Sequence, residues 1–449
     1  MYKKILLINP PFYRLMNSHF NGLSLGLCYI ASVLDKARFH VRIYNADYLN
    51  DTKYLNQKAL LENYENYKVI LQNPDNPIWQ EIKNTVENFK PDLVGITALT
   101  GTYKSAEIIA RIVRDFDPGI RLVIGGVHPT ILPDEVIKND MFDFVVRGEG
   151  EHTFLEIARG EKKENILGLT YRDNIGRVVH NQERPFIKDL DTIPFPARDL
   201  YINESESMDY GYIMTGRGCP FQCTYCASKK IWNRQARFRS EQNVIDELKY
   251  TRKAFGTKSF YFIDDTFTLD RKRAKRICQS IIDEGMDIEW ICDTRVDTLD
   301  EELLILMKRS GCTRVKIGVE SGSDNILKKI KKGITKDQIR RAVSMIRKSG
   351  LDFTIYLMIG FPKETDKEVH ETIDFARELD PKYYSLSILA PYPGTEIYDD
   401  VIRSGISLPK EHWEYFFHQS KDMILTLNIN KKTIDEFLSL NDDVGKSRT

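Results

Sequence analysis

The chain has 449 residues, of which 42% are hydrophobic and 11% aromatic, and its 65 Lys and Arg residues balance 65 Asp and Glu residues. This length and apolar content predict two or three domains with sizeable cores, and the neutral charge argues against nucleic acid as a partner. No apolar run approaches the length of a membrane span, and the N-terminal run is too short for a signal peptide, so we expect no membrane partner.

The first 150 residues alternate short apolar runs with amphipathic stretches. The apolar runs predict five buried strands, at Lys4–Ile8, His40–Tyr44, Asp92–Thr97, Arg121–Ile124 and Phe142–Val146. Helical patterns between them, such as Leu25–Lys36 and Ser105–Asp115, predict a Rossmann-like doubly wound parallel sheet over residues 1–150. Ligands of such sheets bind outside the carboxyl ends of the strands.

Residues 151–210 have the composition of a connector. Gly168–His180 predicts a β-hairpin, and Ile193–Arg198 is a proline-stiffened linker. Strand and helix patterns then alternate again, which predicts an α/β (β/α)6 partial TIM barrel over residues 211–400 and a short C-terminal extension over residues 401–449. The six predicted barrel strands are Tyr212–Thr215, Ser259–Ile263, Ile288–Cys292, Arg314–Val319, Phe353–Ile359 and Tyr383–Leu389.

Three of the seven cysteines, Cys219, Cys223 and Cys226, share one stretch with the spacing C-x3-C-x2-C. Three thiolates on one tight loop can bind three irons of a cubic 4Fe–4S cluster and leave the fourth iron open to another ligand. A structural zinc site would need a second ligand pair nearby, but the next cysteine is Cys278 and the next histidine is His370. Cysteines used in this way favour a reducing compartment, so we expect a cytoplasmic protein.

This stretch, with an aromatic residue just before its last cysteine, resembles the cluster loop of the radical S-adenosylmethionine (SAM) enzymes. The resemblance implies that the open iron binds SAM, which is cleaved to a 5′-deoxyadenosyl radical. It also implies that residues at the predicted barrel strand ends bind SAM, although Asp265 or Ser321 could instead cap a helix. The implied set is Tyr225, Asp264, Asp265, Arg295, Glu320, Ser321, Gly360 and Pro362.

The first 150 residues resemble the cobalamin-binding domain that is fused to one subclass of radical SAM enzymes. The features that carry this resemblance are Asn9-Pro-Pro11, the first predicted helix, Gly125-Gly-Val-His-Pro-Thr130 and Arg147-Gly-Glu-Gly-Glu151. Paired glycines would let the backbone pass close to a flat corrin. The implied cobalamin-binding residues are Asn9, Pro10, Thr97, Leu99, Thr100, Gly125, Gly126, His128, Gly148 and Glu149.

One feature departs from the cobalamin domains that ligate cobalt through Asp-x-His-x-x-Gly. The chain has Asn17-Ser-His19-Phe-Asn-Gly22, in which asparagine replaces the aspartate. Asparagine would not raise the basicity of the imidazole as a carboxylate does. We therefore favour cobalt with no histidine ligand on its lower face, and ligation by His19 is the alternative.

Together these resemblances imply a cobalamin-dependent radical SAM enzyme, similar to the class B methyltransferases. Such an enzyme would transfer a methyl group from methylcobalamin to an unactivated carbon or a phosphorus atom of a small-molecule substrate. Its cofactors would be a 4Fe–4S cluster, SAM and cobalamin, and a flavodoxin or ferredoxin would supply electrons.

Three alternatives remain at this point. The same cofactors could serve a rearrangement or an oxidative cyclisation without methyl transfer. A tRNA methylthiotransferase would need three more cysteines in the N-terminal domain, which has only Cys28. A non-catalytic cobalamin- or redox-binding protein would leave the open iron and the acidic strand ends of the barrel without a purpose.

Overall fold

The structure is a computed structural model that describes residues 2–50, 57–205, 207–410, 412–418 and 428–443. The chain forms two compact units, which are described in turn. The first comprises the described residues within Met1–Asp209 and Pro409–Phe416, and the second those within Tyr210–Leu408 and Phe417–Thr449. Among the described residues, every helix is too short or too polar to cross a lipid bilayer.

The first unit is a sheet with helices packed on it. Its elements in chain order are β1 (Lys4–Asn9), α1 (Leu25–Lys36), β2 (His40–Asn45), α2 (Gln57–Leu71), α3 (Pro77–Phe89), β3 (Leu93–Thr97), α4 (Tyr103–Phe116), β4 (Arg121–Gly125), α5 (Val127–Ile131), α6 (Pro133–Lys138), β5 (Phe144–Val146), α7 (Gly150–Arg159), β6 (Leu169–Arg172) and β7 (Val178–His180). The strand order is β2-β1-β3-β4-β5-β6-β7. Strands β1 to β5 are parallel, as the sequence predicts.

The predicted hairpin is confirmed, and it continues the sheet of the first unit. Strand β6 pairs antiparallel with both β5 and β7, so most of the segment predicted as a connector lies in this unit. The four central residues of β1, Ile5 to Ile8, have no solvent exposure. Such a continuous apolar run is expected where helices cover both faces of a parallel sheet.

The second unit contains six parallel strands with helices between them. Its elements are β8 (Tyr212–Ile213), β9 (Gly216–Arg217), α8 (Ser228–Trp232), β10 (Arg237–Phe238), α9 (Glu241–Phe255), β11 (Ser259–Phe262), α10 (Arg271–Asp283), β12 (Glu289–Thr294), α11 (Glu301–Arg309), β13 (Cys312–Glu320), α12 (Asp324–Lys329), α13 (Lys336–Lys348), β14 (Asp352–Ile359), α14 (Asp366–Leu379), β15 (Tyr383–Ile388), α15 (Glu396–Arg403) and α16 (Lys431–Leu438).

Strands of the second unit follow one another in space as they do in sequence. The order is β8-β11-β12-β13-β14-β15, and every pair is parallel, which confirms the partial barrel. Strands β9 and β10 form a separate antiparallel pair beside the cysteine stretch. Because all six strands run in one direction, their carboxyl ends lie at one edge, and the loops that follow them gather there.

Local signals explain where several barrel helices begin. Thr335 and Gln338 form a reciprocal capping box at the start of α13, and Thr365 and Glu368 form another at the start of α14. Beneath the helices, Phe262, Phe267 and Trp290 pack with ring centroids 4.8 to 5.5 Å apart. The core therefore lies between the helices and the outer face of the sheet.

A glycine in β3 sets the distance between the first sheet and α7. A Cβ atom at Gly95 would lie 2.6 Å from the ring of Phe154 and 2.8 Å from Leu7. Because overpacking of a core typically costs about 1–3 kcal/mol, we expect Gly95→Ala to lower the free energy of unfolding by that amount in urea titrations.

Gly26 is the matched control, because it is exposed on α1 and a Cβ there would meet nothing within 4 Å. Gly26→Ala should raise the stability by about 0.5–1 kcal/mol through helix propensity. Equal effects of the two substitutions would contradict the close packing of β3 against α7.

Candidate active site and strand-end crevice

The cysteine loop follows β9 and is held by backbone contacts. Gly218 has φ = +92°, and a Cβ there would lie 2.1 Å from the carbonyl oxygen of Gln235, so the close approach requires glycine. Inside the loop, Thr224 donates its backbone N–H to Ile330 O (3.0 Å), and Ile397 donates to Thr224 O (3.0 Å). These bonds fix the loop between the residue that follows α12 and the first turn of α15.

All three loop cysteines are free thiols. Cys219 and Cys223 are half-buried and Cys226 is exposed. Burial raises the pKa of the Cys219 thiol above its ordinary value, and the backbone N–H of Phe221 opposes the shift. Among the described residues, no three His, Cys, Asp or Glu side chains are grouped as ligands of a single metal ion. The donor set of three free thiols on one loop fits three corners of a 4Fe–4S cube, whose ligands stand farther apart than those of one ion.

Arg295, at the end of β12, is held beside this loop. Its Nη1 atom lies 3.9 Å from Cys223 Sγ, and its guanidinium stacks 3.6 Å from the ring centroid of Phe221. Nε and Nη2 form a two-pronged ion pair with Asp297, at 3.0 and 3.1 Å, and Nη2 also donates to Lys332 O (2.8 Å). The structure thus places a fixed positive charge against thiolates that would carry negative charge in a cluster.

A buried ion pair lies next to the same loop. Lys332 Nζ donates to Glu320 Oε1 (2.8 Å) and to the hydroxyl of Tyr225 (3.2 Å). Glu320 has φ = +67°, a conformation that non-glycine residues rarely adopt. A Cβ at Gly318 would come within 2.5 Å of Glu320 Oε1 and 2.6 Å of Lys332 Nζ, so glycine leaves the room for this pair.

The sequence did not indicate Lys332. It is one of five lysines between residues 328 and 336, and periodicity alone does not separate it from its neighbours. Its signal is tertiary, because it is buried and a buried ammonium needs a carboxylate partner.

Asp264, predicted to lie near SAM, clamps the backbone ahead of the cysteines. Its Oδ1 accepts the N–H groups of Thr215 (2.6 Å) and Gly216 (3.0 Å), and Oδ2 accepts the hydroxyl of Thr215. Arg273 donates to Thr215 Oγ1 (3.1 Å) and Thr215 O (2.7 Å). Burial raises the pKa of Asp264 above its ordinary value, and Arg273 opposes that shift.

Asp265 and Ser321 also hold loop segments. Asp265 accepts the hydroxyl of Ser228 at 3.3 Å, at the far end of the cysteine loop. Ser321 is fully buried, its hydroxyl lies 3.0 Å from Thr372 Oγ1, and it accepts the N–H of Ser323 (3.1 Å). Their predicted contacts with SAM stay predictions.

The turn after β14 is fixed by a carboxyl group that the sequence did not indicate. Gly360 has φ = +92°, and Glu364 Oε2 accepts the N–H groups of Gly360 (2.6 Å) and Phe361 (3.0 Å). The ring of Phe361 lies 6.3 Å from that of Tyr225, which brings this turn, with Pro362, to the cysteine loop. Glycine at this turn places no side chain between the backbone and a flat ring that approaches it.

In the first unit, the loops after β1, β3, β4 and β5 lie at one edge of the sheet. Gly126 has φ = +103°, and a Cβ there would lie 2.7 Å from Ala98 O, so the loops after β3 and β4 touch through backbone. Leu99 is 57% exposed on a short turn, and Gly148, at φ = +73°, has open space where a Cβ would stand. An exposed leucine and bare backbone at the same edge of the sheet fit a ligand with a flat apolar face, such as a corrin.

Several other residues predicted to bind cobalamin are held by contacts within the first unit. Asn9, ahead of Pro10, donates to Asn45 Oδ1 (2.9 Å), and Glu149 accepts the N–H of Ile187 (2.8 Å). Thr97 ends β3, beside Gly125 at the end of β4. His19 is buried.

His128 is almost fully buried at the start of α5. Its Nδ1 lies 3.3 Å from Thr100 Oγ1, and its ring packs 4.5 Å from Tyr103 and 5.2 Å from Trp413. Burial lowers the pKa of His128 to about 3, so the ring is neutral at physiological pH. The ring thus packs among aromatic side chains, and its predicted contact with cobalamin stays a prediction.

Breaking the Glu320–Lys332 pair should destabilise the second unit. The side chains are 9% and 6% exposed, and loss of one partner of a buried pair typically costs about 3–5 kcal/mol. We expect Lys332→Met to show this loss in urea unfolding, and the double variant Glu320→Gln/Lys332→Met to recover part of it.

The adjacent Lys331 is the control, because its ion pair with Glu396 is largely exposed. Lys331→Met should cost about 0–1 kcal/mol. A similar loss in both lysine variants would argue against a special role for the buried pair.

Glu364 should give the second unit a pH-dependent stability. Burial raises its pKa from an ordinary value of 4.5 to about 8. The folded chain then retains a proton that the unfolded chain has released, so the free energy of unfolding decreases as pH rises through this range. Glu364→Gln should therefore become more stable relative to wild type between about pH 5.5 and pH 8.

Glu368 provides a comparison on the adjacent helix. Burial raises the pKa of Glu368, but hydrogen bonds from Asn325 and Thr365 lower it by more, so the net shift is downward. The Glu368 charge adds to the raised pKa of Glu364, so the difference between Glu368→Gln and wild type should change over the same pH interval much less than that for Glu364→Gln, measured by urea unfolding. A constant difference for Glu364→Gln would contradict the raised pKa.

Comparisons with known proteins agree with both units. Residues 213–376 match the Radical SAM superfamily, and residues 57–158 match the B12 binding domain. An uncharacterized methyltransferase of Pyrococcus horikoshii is 36% identical over 450 residues, which cover 97% of this chain and 88% of that protein. An anaerobic magnesium-protoporphyrin IX monomethyl ester cyclase of Rubrivivax gelatinosus is 29% identical over 340 residues, which cover 72% of this chain and 60% of the cyclase.

A solved structure shares the fold. The radical SAM methyltransferase TsrM from Kitasatospora setae, with cobalamin and a 4Fe–4S cluster bound, matches with a TM-score of 0.68 at 19% identity, over 90% of this chain and 78% of that one. The predicted fold and family are therefore confirmed. The chain belongs to the radical SAM enzymes with a B12-binding domain, is a methyltransferase-like member of that family, and has a 4Fe–4S cluster, SAM and cobalamin as its cofactors.

Proposed function

We propose that this enzyme transfers a methyl group to an unactivated carbon or a phosphorus atom of a small-molecule substrate. The observation that carries the proposal is the set of three free cysteines, Cys219, Cys223 and Cys226, held beside Arg295 at the strand ends of the barrel. The near full-length relative from Pyrococcus horikoshii, which is named a methyltransferase, supports it. When bound, the cluster with SAM would supply a hydrogen-abstracting radical, and cobalamin would supply the methyl group.

The residues of the second unit would bind and orient the cluster and SAM. The three cysteines would hold the cluster, and Arg295 would offset its negative charge and reach the carboxylate of SAM. Glu320, held by Lys332, would accept a hydrogen bond from the SAM ribose or amino group. The turn at Gly360 and Pro362, fixed by Glu364, would lie against adenine.

In the first unit, the loops after β3 and β4 would form the floor of the cobalamin site. The exposed side chain of Leu99 and the bare backbone at Gly148 would contact the corrin. We place the enzyme in the cytoplasm, where reducing conditions keep its cysteines as thiols, with a flavodoxin or ferredoxin as its electron donor.

A second candidate is oxidative cyclisation with the same cofactors and without methyl transfer. The specific observation in its favour is that the relative from Rubrivivax gelatinosus is named a cyclase. The two reactions differ in their use of SAM, because methyl transfer consumes a second SAM and forms S-adenosylhomocysteine.

We expect the anaerobically purified protein, with a reconstituted cluster and added hydroxocobalamin, to retain cobalamin and to form both 5′-deoxyadenosine and S-adenosylhomocysteine from SAM and a reductant. Visible spectra and mass analysis measure these outcomes. SAM labelled with deuterium in its methyl group follows the methyl into cobalamin. Formation of 5′-deoxyadenosine without S-adenosylhomocysteine would contradict methyl transfer and support cyclisation.

Two cysteine variants complete this test. Cys226→Ala should lose iron and 5′-deoxyadenosine formation but keep cobalamin. Cys278→Ala, at a buried position on α10, should keep all three. If 5′-deoxyadenosine forms but cobalamin is not retained, the role of the first unit and methyl transfer through cobalt are both wrong.

A further inference from the structure

Four consecutive barrel strands each contribute one polar side chain to a single cluster. Tyr261 lies in β11, Asp293 in β12, Lys316 in β13 and Tyr356 in β14. Asp293 and Lys316 are directly paired in the sheet register, and Tyr356 is paired with Gly318, two residues after Lys316. We call this group the lumen quartet.

The quartet faces away from the helices. Its neighbours along the strands, such as Phe262, Cys292 and Ile317, belong to the apolar core between sheet and helices. Because successive strand residues point to opposite faces, the quartet points to the concave face. All four side chains are half-buried, so they line an accessible lumen.

Hydrogen bonds link the quartet in a chain. Tyr356 donates its hydroxyl to Asp293 Oδ1 (2.7 Å), and Tyr261 donates to Asp293 Oδ2. Lys316 Nζ then donates to the hydroxyl oxygen of Tyr261 (3.0 Å). Each carboxylate oxygen of Asp293 therefore accepts a phenol proton, and the ammonium reaches the carboxylate only through Tyr261.

Lys316 keeps donors to spare. An ammonium has three N–H groups, and within the described part of the chain Tyr261 Oη is the one acceptor assigned to it. The ammonium lies 4.3 Å from the Tyr261 ring centroid and 6.0 Å from that of Tyr356, so the two rings flank it.

A second cation lies on the same strand face. Arg314, two residues earlier on the same strand face, stacks 4.8 Å from the ring of Tyr383. Burial disfavours the charged ammonium and lowers the pKa of Lys316; Asp293 opposes this shift, and the charge of Arg314 adds to it. An anion bound to Lys316 would relieve this unfavourable environment.

We propose that the lumen quartet is a substrate-anchoring subsite, in which Lys316 binds an anionic group of the substrate, a carboxylate or a phosphoryl group, between the rings of Tyr261 and Tyr356. This inference rests on the proposed function, because it takes the barrel to act on a small molecule. It narrows the substrate class to small molecules with an oxyanion. Asp293 is a positioning residue, since it orients both phenols and touches no substrate.

The test measures binding of small oxyanions to the cluster-loaded, cobalamin-loaded protein. The probes are methylphosphonate and acetate, with chloride at the same ionic strength as the reference, and the readout is the midpoint of thermal unfolding as a function of probe concentration. A midpoint that rises with acetate identifies a carboxylate site, and one that rises with methylphosphonate identifies a phosphoryl site. We expect one of the two to raise it.

Substitutions then assign the binding. Lys316→Met should weaken the affinity for the probe about tenfold or more, which is the loss expected when a charge-assisted hydrogen bond is removed. Lys316→Arg should retain part of the binding. Lys328→Met, at an exposed lysine on α12, is the matched control and should bind the probe as the wild type does. The midpoint of each variant in chloride shows whether it folds.

Two results would overturn the inference. One is a wild-type protein whose midpoint responds to neither probe, and the other is a folded Lys316→Met protein that binds as the wild type does. Formation of 5′-deoxyadenosine, measured in the same wild-type preparations, separates this failure from that of the proposed function. SAM cleavage without oxyanion binding removes only the subsite, whereas oxyanion binding through Lys316 without SAM cleavage removes the proposed function.

Discussion

Buried carboxyl groups that accept backbone N–H groups hold the loops on which the candidate sites of both units depend. A buried polar group is costly unless it is hydrogen-bonded, so each one fixes the segment that supplies its donors. In the second unit, Asp264 fixes the backbone before the cysteines and Glu364 fixes the turn after β14. In the first unit, Asp47 Oδ1 accepts the N–H groups of Phe12 (2.7 Å) and Arg14 (2.9 Å), which fixes the loop after β1.

Two positively charged side chains are also held in fixed positions around the cysteine loop. Arg295 and Lys332 are both nearly buried, and they contact each other because Arg295 donates to Lys332 O. Each also has an acidic partner of its own, Asp297 for the arginine and Glu320 for the lysine. The loop therefore lies against two cations whose positions are set before any cofactor binds, and such preorganisation strengthens electrostatic interactions at an active site.

In the barrel, the residues that would bind the cofactors and the residues of the lumen quartet lie at different positions along the strands. At the carboxyl ends, loops gather the residues that would hold the cluster and SAM. On the concave face, the side chains of β11 to β14 form the lumen quartet, with Asp293 at its centre. A family whose cofactors supply the difficult chemistry leaves the protein to choose and orient the substrate, and residues inside the lumen are suited to that choice.

Strand and helix positions could be predicted from the sequence because they follow from local periodicity. The prediction of α1 at Leu25–Lys36 matches the structure at both ends. In the first unit, the helix Gln57–Leu71 was not specified, and the hairpin was placed in a connector rather than at a sheet edge. A hairpin is recognised in a sequence by its turn residues. Those residues do not show which strand of a sheet the hairpin will pair with.

In the candidate site, too, local features could be predicted from the sequence and long-range contacts could not. The spacing of Cys219, Cys223 and Cys226 is local, so the sequence by itself determined the cluster loop and, through it, the family. Tertiary structure alone decided that Lys332 pairs with Glu320, that Glu364 fixes the turn at Gly360, and that Lys316 shares a cluster with residues on three other strands. The physical reason is that burial and partnership depend on segments distant in sequence, as with Asp293 and Tyr356, which are 63 residues apart and meet only when the parallel strands align.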